Sequence, residues 1–357
     1  MSALDASGKE SLPNGRPPML IVLPLLLVPL VVLVGYSLQK SAREQAFGCD
    51  SPLLLTHYHK SGHDASRIIA NSLGQFLSVR FVDVMSRPEA PPTSCQDIVA
   101  GAAWQACHGV QASPDLLCRP FPVHLRVVHF IRKPVEMIIS AYLYHSQEPP
   151  PEPWVHSRRP CATARPSRSL SRFASTVGVQ LAQLEAVTAL CHQLQPRNAS
   201  FHQMLRSLPP RAAVRLVATW MLTTQGDVLR MAANSVSLAS LPRSSTSSHH
   251  AIDLTDLSHS ASPILSGLVG WLHNGSDGAH TAAHDAPRVQ QLTAALTSHF
   301  VEAQREAARK SSKRHVTRGL ASPKERAQLA EALTTDRVLA PVLRRADSAV
   351  YRVRETS

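Results

Sequence analysis

The pattern of apolar and polar positions after residue 50 predicts strands that alternate with helices. Residues 51–57 form an apolar run that ends in a turn at Lys60-Ser61-Gly62, and the apolar positions of 65–76 then recur at helical spacing. Residues 79–84 alternate and are rich in β-branched side chains, which predicts a second strand. The order of strand, turn and helix returns over 123–142, so the chain contains the same local unit twice.

The rest of the pattern is mainly helical. Helical spacing extends over 175–194, 212–233, 286–309 and 323–343, whereas 85–122 and 146–172 are predicted to be irregular and 241–262 supports no defined element. Strands that alternate with helices are typical of a three-layer α/β fold around a mainly parallel sheet. Ligands bind to such sheets where the strands end, which directs attention to the two turns.

One segment near the N-terminus is long and apolar enough to cross a membrane. Residues 17–39 contain no Asp, Glu, Lys or Arg, and as a helix they reach about 34 Å, against a hydrocarbon layer of about 30 Å. A cleaved signal peptide is the alternative, but its apolar core runs only about 7–15 residues. The sequence therefore predicts a short cytoplasmic tail at 1–16, a transmembrane signal-anchor helix at 17–39, a stem at 40–50 and a lumenal domain at 51–357.

Cysteines and glycosylation sequons indicate the side of the membrane. All six cysteines follow the apolar segment, and so do both sequons, Asn198-Ala-Ser200 and Asn274-Gly-Ser276. An even number of cysteines and acceptors for N-glycans suit an oxidising lumen. Six buried thiols and two chance sequons are the alternative interpretation.

A net charge of +12 favours anionic partners. For a lumenal protein these are a phosphorylated nucleotide, an acidic polysaccharide or an anionic lipid surface, and nucleic acid is not expected. The charge is spread over the whole chain, so a solvated surface explains it as well.

Two turns contain the residue types that bind phosphate. Lys60, Ser61 and Gly62 offer an ammonium, a hydroxyl and backbone N–H groups at the start of a helix, which is an anion-binding arrangement. The turn is not a nucleoside-triphosphate P-loop, because no glycine lies between Cys49 and Lys60. Arg132 ends the later strand, and its planar fork suits phosphate oxygens, as does the hydroxyl of Ser140 eight residues on. Taken separately, the first turn is better explained as an ordinary surface loop, and the second as a rim arginine followed by a small serine that packs in a helix.

In this order the two turns resemble those of the membrane-bound sulfotransferases of the Golgi type, which use 3′-phosphoadenosine 5′-phosphosulfate. In that family Lys-Thr/Ser-Gly-Thr binds the 5′-phosphosulfate, and Arg-Asp-Pro with a later serine holds the 3′-phosphate. Lys60-Ser61-Gly62 is similar to the first motif, and Arg132-x-Pro134 with Ser140 and Tyr142 is similar to the second. Residues 140–145, followed by Glu152-Pro-Trp154, resemble a divergent group of algal and protist sulfotransferase-like proteins.

This resemblance implies a sulfotransferase fold that is P-loop-like and a type II protein of the Golgi membrane with a lumenal catalytic domain. It also implies transfer of a sulfuryl group to a hydroxyl or amine, with carbohydrate as the expected acceptor and no metal. Lys60 would stabilise the bridging oxygen as the phosphate leaves, much as charge is stabilised in phosphoryl transfer.

The sequence departs from the family pattern at three points. His63 stands where a threonine or serine is usual, so one contact to the phosphosulfate is absent or made by imidazole. Lys133 replaces the common aspartate. No motif marks the catalytic base, for which Asp83 and Glu89 both fall in the expected region, with Glu89 slightly preferred because Asp83 lies within a predicted strand.

A basic segment between the last two helices is a further candidate for the nucleotide site. Family members often place a basic loop here that closes over the nucleotide, which makes Lys313, Arg314 and Arg318 candidate ligands. A solvated helix end is the other explanation for these charges.

Three alternatives remain open at this point. His57, His59 and His63 could converge on zinc, although no Cys or carboxylate pair accompanies them. A non-catalytic, membrane-tethered glycan-binding protein with a decayed donor site would explain His63 and the missing base. A lumenal glycosyltransferase is the third alternative, but the sequence has no Asp-x-Asp metal motif to support it.

Overall fold

The computed structural model describes residues 53–77, 80–83, 108–112, 126–149, 152–156, 161, 166–195, 199–240, 248–274, 286–310 and 320–351. All of them belong to the compact unit Glu44–Ser357.

The described residues contain a sheet of five parallel strands. The strands are β1 (Leu53–Thr56), β2 (Arg80–Asp83), β3 (His108–Ala112), β4 (Arg126–Ile131) and β5 (Ser248–Asp253). Their order in the sheet is β2-β3-β1-β4-β5. Leu54 of β1 is paired with Val110 on one side and Val127 on the other, so the first strand of the chain occupies the middle.

Helices make up most of the remaining described chain. They are α1 (His63–Leu77), α2 (Pro134–His145), α3 (Arg168–Thr176), α4 (Leu181–Leu194), α5 (Phe201–Ser207), α6 (Pro210–Thr219), α7 (Asp227–Ala239), α8 (Leu254–His259), α9 (Ala261–Asn274), α10 (Ala286–Lys310), α11 (Pro323–Thr334) and α12 (Leu339–Tyr351). A 3-10 turn spans Pro153–His156, and a π-helical turn spans Trp220–Thr224.

Two hydrophobic clusters form the core. The smaller cluster joins the sheet to α1, α9 and α10 through Ile69, Phe130, Leu268 and Leu296, among others. The larger cluster consists mainly of helices packed on helices, from α2 to α7 with α11 and α12. Phe130 belongs to the first cluster and its neighbour Ile131 to the second, because successive side chains of a strand point to opposite faces.

The predicted fold class, a three-layer α/β sulfotransferase fold preceded by a transmembrane helix, is wrong. The described residues are predominantly helical, and the strands are only four to six residues long. The physical reason is that the amphipathic segments of 168–239 and 323–351 bury their apolar faces mainly against one another rather than against the sheet. None of the described helices could span a membrane, and the predicted anchor at 17–39 lies outside the described residues.

Several individual elements were predicted correctly. The strands expected at 51–57, 79–84 and 123–131 and the helix expected at 65–76 are all present, with slightly different ends. Pro134 is the first residue of α2. The backbone N–H at this position makes no hydrogen bond within a helix, so proline, which has no N–H, fits here without losing a bond.

Other elements differ from their prediction. The helix expected at 323–343 is two helices, because Asp336 accepts hydrogen bonds from the backbone N–H groups of Val338 and Leu339 and so starts α12 anew. The strands β3 and β5 and the helices α8 and α9 lie wholly or largely in segments for which no element was predicted.

Candidate functional site

The site lies where β1 and β4 end side by side. Thr56 of β1 is paired with His129 of β4 in parallel, so the turns after β1 and β4 both start at the carboxyl ends of the strands, on the same end of the sheet. After β1 the chain goes on to β2, the outermost strand on one flank of the strand order, and after β4 it goes on to β5, the outermost strand on the other flank. Ligands of parallel sheets bind at such a switch point, between loops that diverge.

The turn after β1 has an unusual backbone at two residues. Lys60 adopts a φ of +60° and Gly62 a φ of +126°. A side chain at residue 62 would meet Phe130 of β4, since a Cβ built there lies 3.2 Å from the ring. Glycine is needed at this residue both for its φ and for the close approach of β4.

Buried hydrogen bonds hold this turn closed. The backbone N–H of Tyr58 donates to the Ser61 hydroxyl at 2.6 Å, and that hydroxyl donates to the Tyr58 carbonyl at 3.1 Å. The phenol oxygen of Tyr58 accepts hydrogen bonds from Thr56 and from Asn234 of α7. Ser61 is fully buried, so its hydroxyl shapes the turn in this structure.

Asp227 anchors the same turn to the helical part of the molecule. This residue begins α7, is buried, and accepts a hydrogen bond at 3.0 Å from the backbone N–H of His59. Burial raises the pKa of its carboxyl group, against the charge of Arg230 at 3.5 Å. The turn is therefore positioned by a residue that lies far away in the sequence.

Arg132 joins the two turns directly. Its guanidinium donates a hydrogen bond at 3.1 Å to the carbonyl of Lys60 and lies 3.9 Å from the Glu136 carboxylate. Burial is the main cause that lowers its pKa, and Glu136 opposes that shift. Arg132 and Lys60, predicted from separate motifs, thus lie together at one end of the sheet.

The Lys60 ammonium packs on an aromatic ring of α2. Its Nζ atom lies 2.8 Å from the centre of the Tyr144 ring, a cation–π contact. Burial lowers the pKa of Lys60 to about 7, against a smaller opposing effect of Glu152. The charge of this side chain is therefore sensitive to pH near neutrality.

Beside Lys60 lies a pair of histidines that face each other. The Nε2 atoms of His59 and His145 are 2.8 Å apart, and the planes of the two rings are parallel to within 6°. The Nδ1 atom of His145 lies 3.7 Å from the Glu152 carboxylate. Trp220 covers both rings edge-on, which keeps the pair in an apolar setting. Burial is the main cause that lowers the pKa of both histidines, that of His145 to about 2, and the Lys60 charge adds to it.

The positions of three other predicted residues, Ser140, His63 and Asp83, are also described. Ser140 lies in α2 with only 4% of its surface exposed. His63 is the first residue of α1, and its ring meets His57 edge to face with centres 4.7 Å apart. Asp83 ends β2, two strands from β1 and so about 10 Å away across the sheet.

Several predicted residues have no described position. Glu89 and the basic residues Lys313, Arg314 and Arg318 lie outside the described residues. Their roles remain predictions.

Sequence reasoning assigned no role to three residues that shape the site. His145 and Glu152 stood within the segments that resemble the algal and protist proteins, so a signal for them was present. Asp227 had no such signal, because nothing near it in the sequence points to the turn after β1.

Comparison with known proteins adds no relative. No family model, no curated protein and no solved structure matches the chain.

Proposed function

We propose that this protein transfers a sulfuryl group from 3′-phosphoadenosine 5′-phosphosulfate to a hydroxyl or amine of an acceptor, with carbohydrate as the acceptor class. The observation that supports this proposal most is the hydrogen bond between Arg132 and the Lys60 carbonyl. It brings the two motifs of the predicted donor site to one end of the sheet. The proposal rests on these turns and their chemistry, and it does not depend on the predicted fold class.

In this proposal the two cations act on different parts of the donor. Arg132 binds the 3′-phosphate through its planar fork. Lys60 lies on the turn that holds the 5′-phosphosulfate and stabilises the bridging oxygen as negative charge develops there. Lys60 must move off the Tyr144 ring to do so, and anionic donor oxygens supply the attraction that the ring provides in the free protein.

An aromatic surface next to the histidine pair supports a carbohydrate acceptor. Trp154 is one of the exposed large apolar residues, at 36%, and it stacks on Trp220 with ring centres 4.7 Å apart. Its ring centre lies 4.8 Å from that of His145. Flat apolar faces of this kind are suited to the C–H faces of sugar rings.

Nucleotide binding by the full chain in detergent tests the proposal. Calorimetric titration with 3′-phosphoadenosine 5′-phosphate should show binding to wild type. Arg132→Ala removes a charge-assisted contact of about 1.5–3 kcal/mol and should weaken binding roughly ten- to a hundredfold. Lys60→Ala should lower turnover more than affinity, because its charge acts mainly in the transition state.

A matched arginine provides the control. Arg211 is 65% exposed and pairs with Glu331 on the helical surface, so Arg211→Ala should bind the nucleotide like wild type. Turnover is measured with radiolabelled donor and a panel of desulfated chondroitin, desulfated heparin and neutral oligosaccharides. If wild type binds no nucleotide, or Arg132→Ala binds as well as wild type, the assignment of these turns is wrong.

A non-catalytic glycan-binding protein with a decayed donor site is the second candidate. Two observations favour it: the Ser61 hydroxyl bonds within its own turn, and the Lys60 ammonium sits on Tyr144. Binding of the desulfated or sulfated glycans without any binding of nucleotide would establish this candidate instead.

A further inference from the structure

The histidine pair beside Lys60 has the geometry of a shared proton. Its two Nε2 atoms lie 2.8 Å apart in rings whose planes are nearly parallel, and this distance is that of an N–H···N hydrogen bond. One ring must donate and the other accept, so the pair is stable only with a proton between the two nitrogens.

A metal ion fits this geometry less well. Two imidazole nitrogens that bind one tetrahedral zinc ion lie about 3.3 Å apart with their lone pairs converging, whereas here the two nitrogens lie 2.8 Å apart, at hydrogen-bond distance. Glu152 faces the Nδ1 atom of His145, the ring nitrogen that is not paired with His59. One ligand atom of each of the three groups lies within 4.8 Å of the others, but the hydrogen bond between the Nε2 atoms and the carboxylate beside Nδ1 also connect the groups in series.

The far end of the chain is buried and aimed at a carboxylate. His145 is fully buried, its Nδ1 atom has no hydrogen-bond partner, and the Glu152 carboxylate lies 3.7 Å from that atom. A proton on Nδ1 leaves Nε2 of His145 as an acceptor for His59. The near end, the Nδ1 atom of His59, then holds a lone pair.

We propose that His59, His145 and Glu152 form the proton relay that deprotonates the acceptor in the sulfuryl transfer. This inference rests on the proposed function and supplies the base that the sequence did not mark. It replaces neither Lys60 nor Arg132, which act on the donor.

The relay moves one positive charge to His145 through two coupled proton transfers. As the acceptor oxygen bonds to sulfur and the bond from sulfur to the 5′-phosphate oxygen breaks, the acceptor proton passes to Nδ1 of His59. The Nε2 proton of His59 passes at the same time to Nε2 of His145. The positive charge then rests on His145, opposite the Glu152 carboxylate, and leaves when the product is released and the proton returns to water.

The groups around the pair fit this role. Burial is the main cause that lowers the pKa of both histidines and so keeps them neutral in the free protein, and the charges of Lys60, His63 and His202 around them act in the same direction. Asp227 binds the His59 backbone N–H rather than its ring. The negative charge of the bound donor favours the protonated form of nearby groups and so makes the pair a better base at the moment when one is needed.

Two variants test the relay in the full-length protein. His59→Ala removes the residue that touches the acceptor, and His145→Gln removes the second member of the chain. Each variant should lower kcat by about a hundredfold, the lower end of the range for loss of a general base. The Kd of 3′-phosphoadenosine 5′-phosphate should change less than about threefold, because neither histidine contacts the nucleotide in this proposal. Imidazole in the buffer should restore part of the turnover of His59→Ala and none of that of Lys60→Ala.

Controls separate the relay from folding and from the proposed function. His156→Gln changes an exposed histidine in the same 3-10 turn as Trp154 and should keep the wild-type kcat. Wild type that binds no nucleotide, or transfers to none of the glycans, overturns both proposals. A third outcome overturns the relay alone. In it wild type turns over, and the kcat of both histidine variants stays within about threefold of the wild-type kcat, a smaller loss than removal of a general base causes. Turnover that EDTA abolishes and zinc restores overturns the relay in favour of a metal site.

Discussion

At the scale of single residues, the structure assigns Lys60 an environment that the sequence could not. The residue was predicted as a cation of the donor site, and the structure places its ammonium on the Tyr144 ring with a pKa lowered to about 7 by burial. A lysine with such a pKa is only partly charged in the free protein. An anionic ligand should therefore draw a proton onto it.

Nucleotide binding at pH 8 should consequently be coupled to proton uptake. Above its pKa of about 7 Lys60 is mostly neutral in the free protein, and the bound 3′-phosphoadenosine 5′-phosphate favours its protonated form. Titrations in buffers that differ in ionisation enthalpy should show this uptake in wild type and a smaller uptake in Lys60→Ala. The exposed Lys324 supplies the control variant, Lys324→Ala, which should match wild type. The same uptake in Lys60→Ala as in wild type would contradict the assignment.

At the scale of elements, the turn between β1 and α1 is the part of the site whose shape depends on local backbone. Gly62 combines a φ of +126° with a close approach to Phe130. The prediction of a turn at Lys60-Ser61-Gly62 is confirmed, because glycine after a strand is a local signal. The hydrogen bonds that join the turn to α7 were not predictable, because their partners Asp227 and Asn234 lie far away in the sequence.

Gly62→Ala should destabilise the protein and weaken nucleotide binding. Strain of this kind costs about 1–3 kcal/mol, and the new methyl group would also push against Phe130. The matched control is Gly270→Ala in α9, where a Cβ meets nothing within 4 Å and alanine should stabilise the helix by about 0.5–1 kcal/mol. Urea unfolding measures both changes. Equal stability of the two variants would show that the turn tolerates a side chain.

At the scale of the whole molecule, one covalent link ties the helical part together. Cys161 and Cys191 form a disulfide with Cα atoms 5.7 Å apart, and Cys191 lies in α4 within the larger hydrophobic cluster. The other four cysteines lie outside the described residues. An oxidising compartment, proposed from the cysteines and sequons, would allow this bond to persist.

Removal of this disulfide should lower the stability of the helical part. The bond closes a loop with a sequence separation of 30 residues, for which the loss of chain entropy in the unfolded state is worth about 3–4 kcal/mol. The double variant Cys161→Ser/Cys191→Ser should therefore unfold at a lower urea concentration than wild type. Wild type measured after reduction should approach the double variant. An unchanged unfolding midpoint in both would contradict the bond.

The sequence by itself determined the local features of this protein. Apolar spacing and β-branched runs located β1, β2, β4 and α1, and residue type identified Lys60 and Arg132 as candidate anion ligands. These features depend on neighbours within a few residues, so a local pattern is enough to predict them. The same patterns could not give the balance between sheet and helix packing, and the predicted fold class failed for that reason.

Only the tertiary structure decided which residues meet. Arg132 reaches the Lys60 carbonyl across 72 residues of sequence, His145 reaches His59 across 86, and Asp227 reaches the His59 backbone across 168. Such contacts arise when strands pair and helices bury their apolar faces, and no local signal encodes them. The turn could therefore be predicted from the sequence. The buried histidine pair beside it and the lowered pKa of Lys60 follow from packing alone.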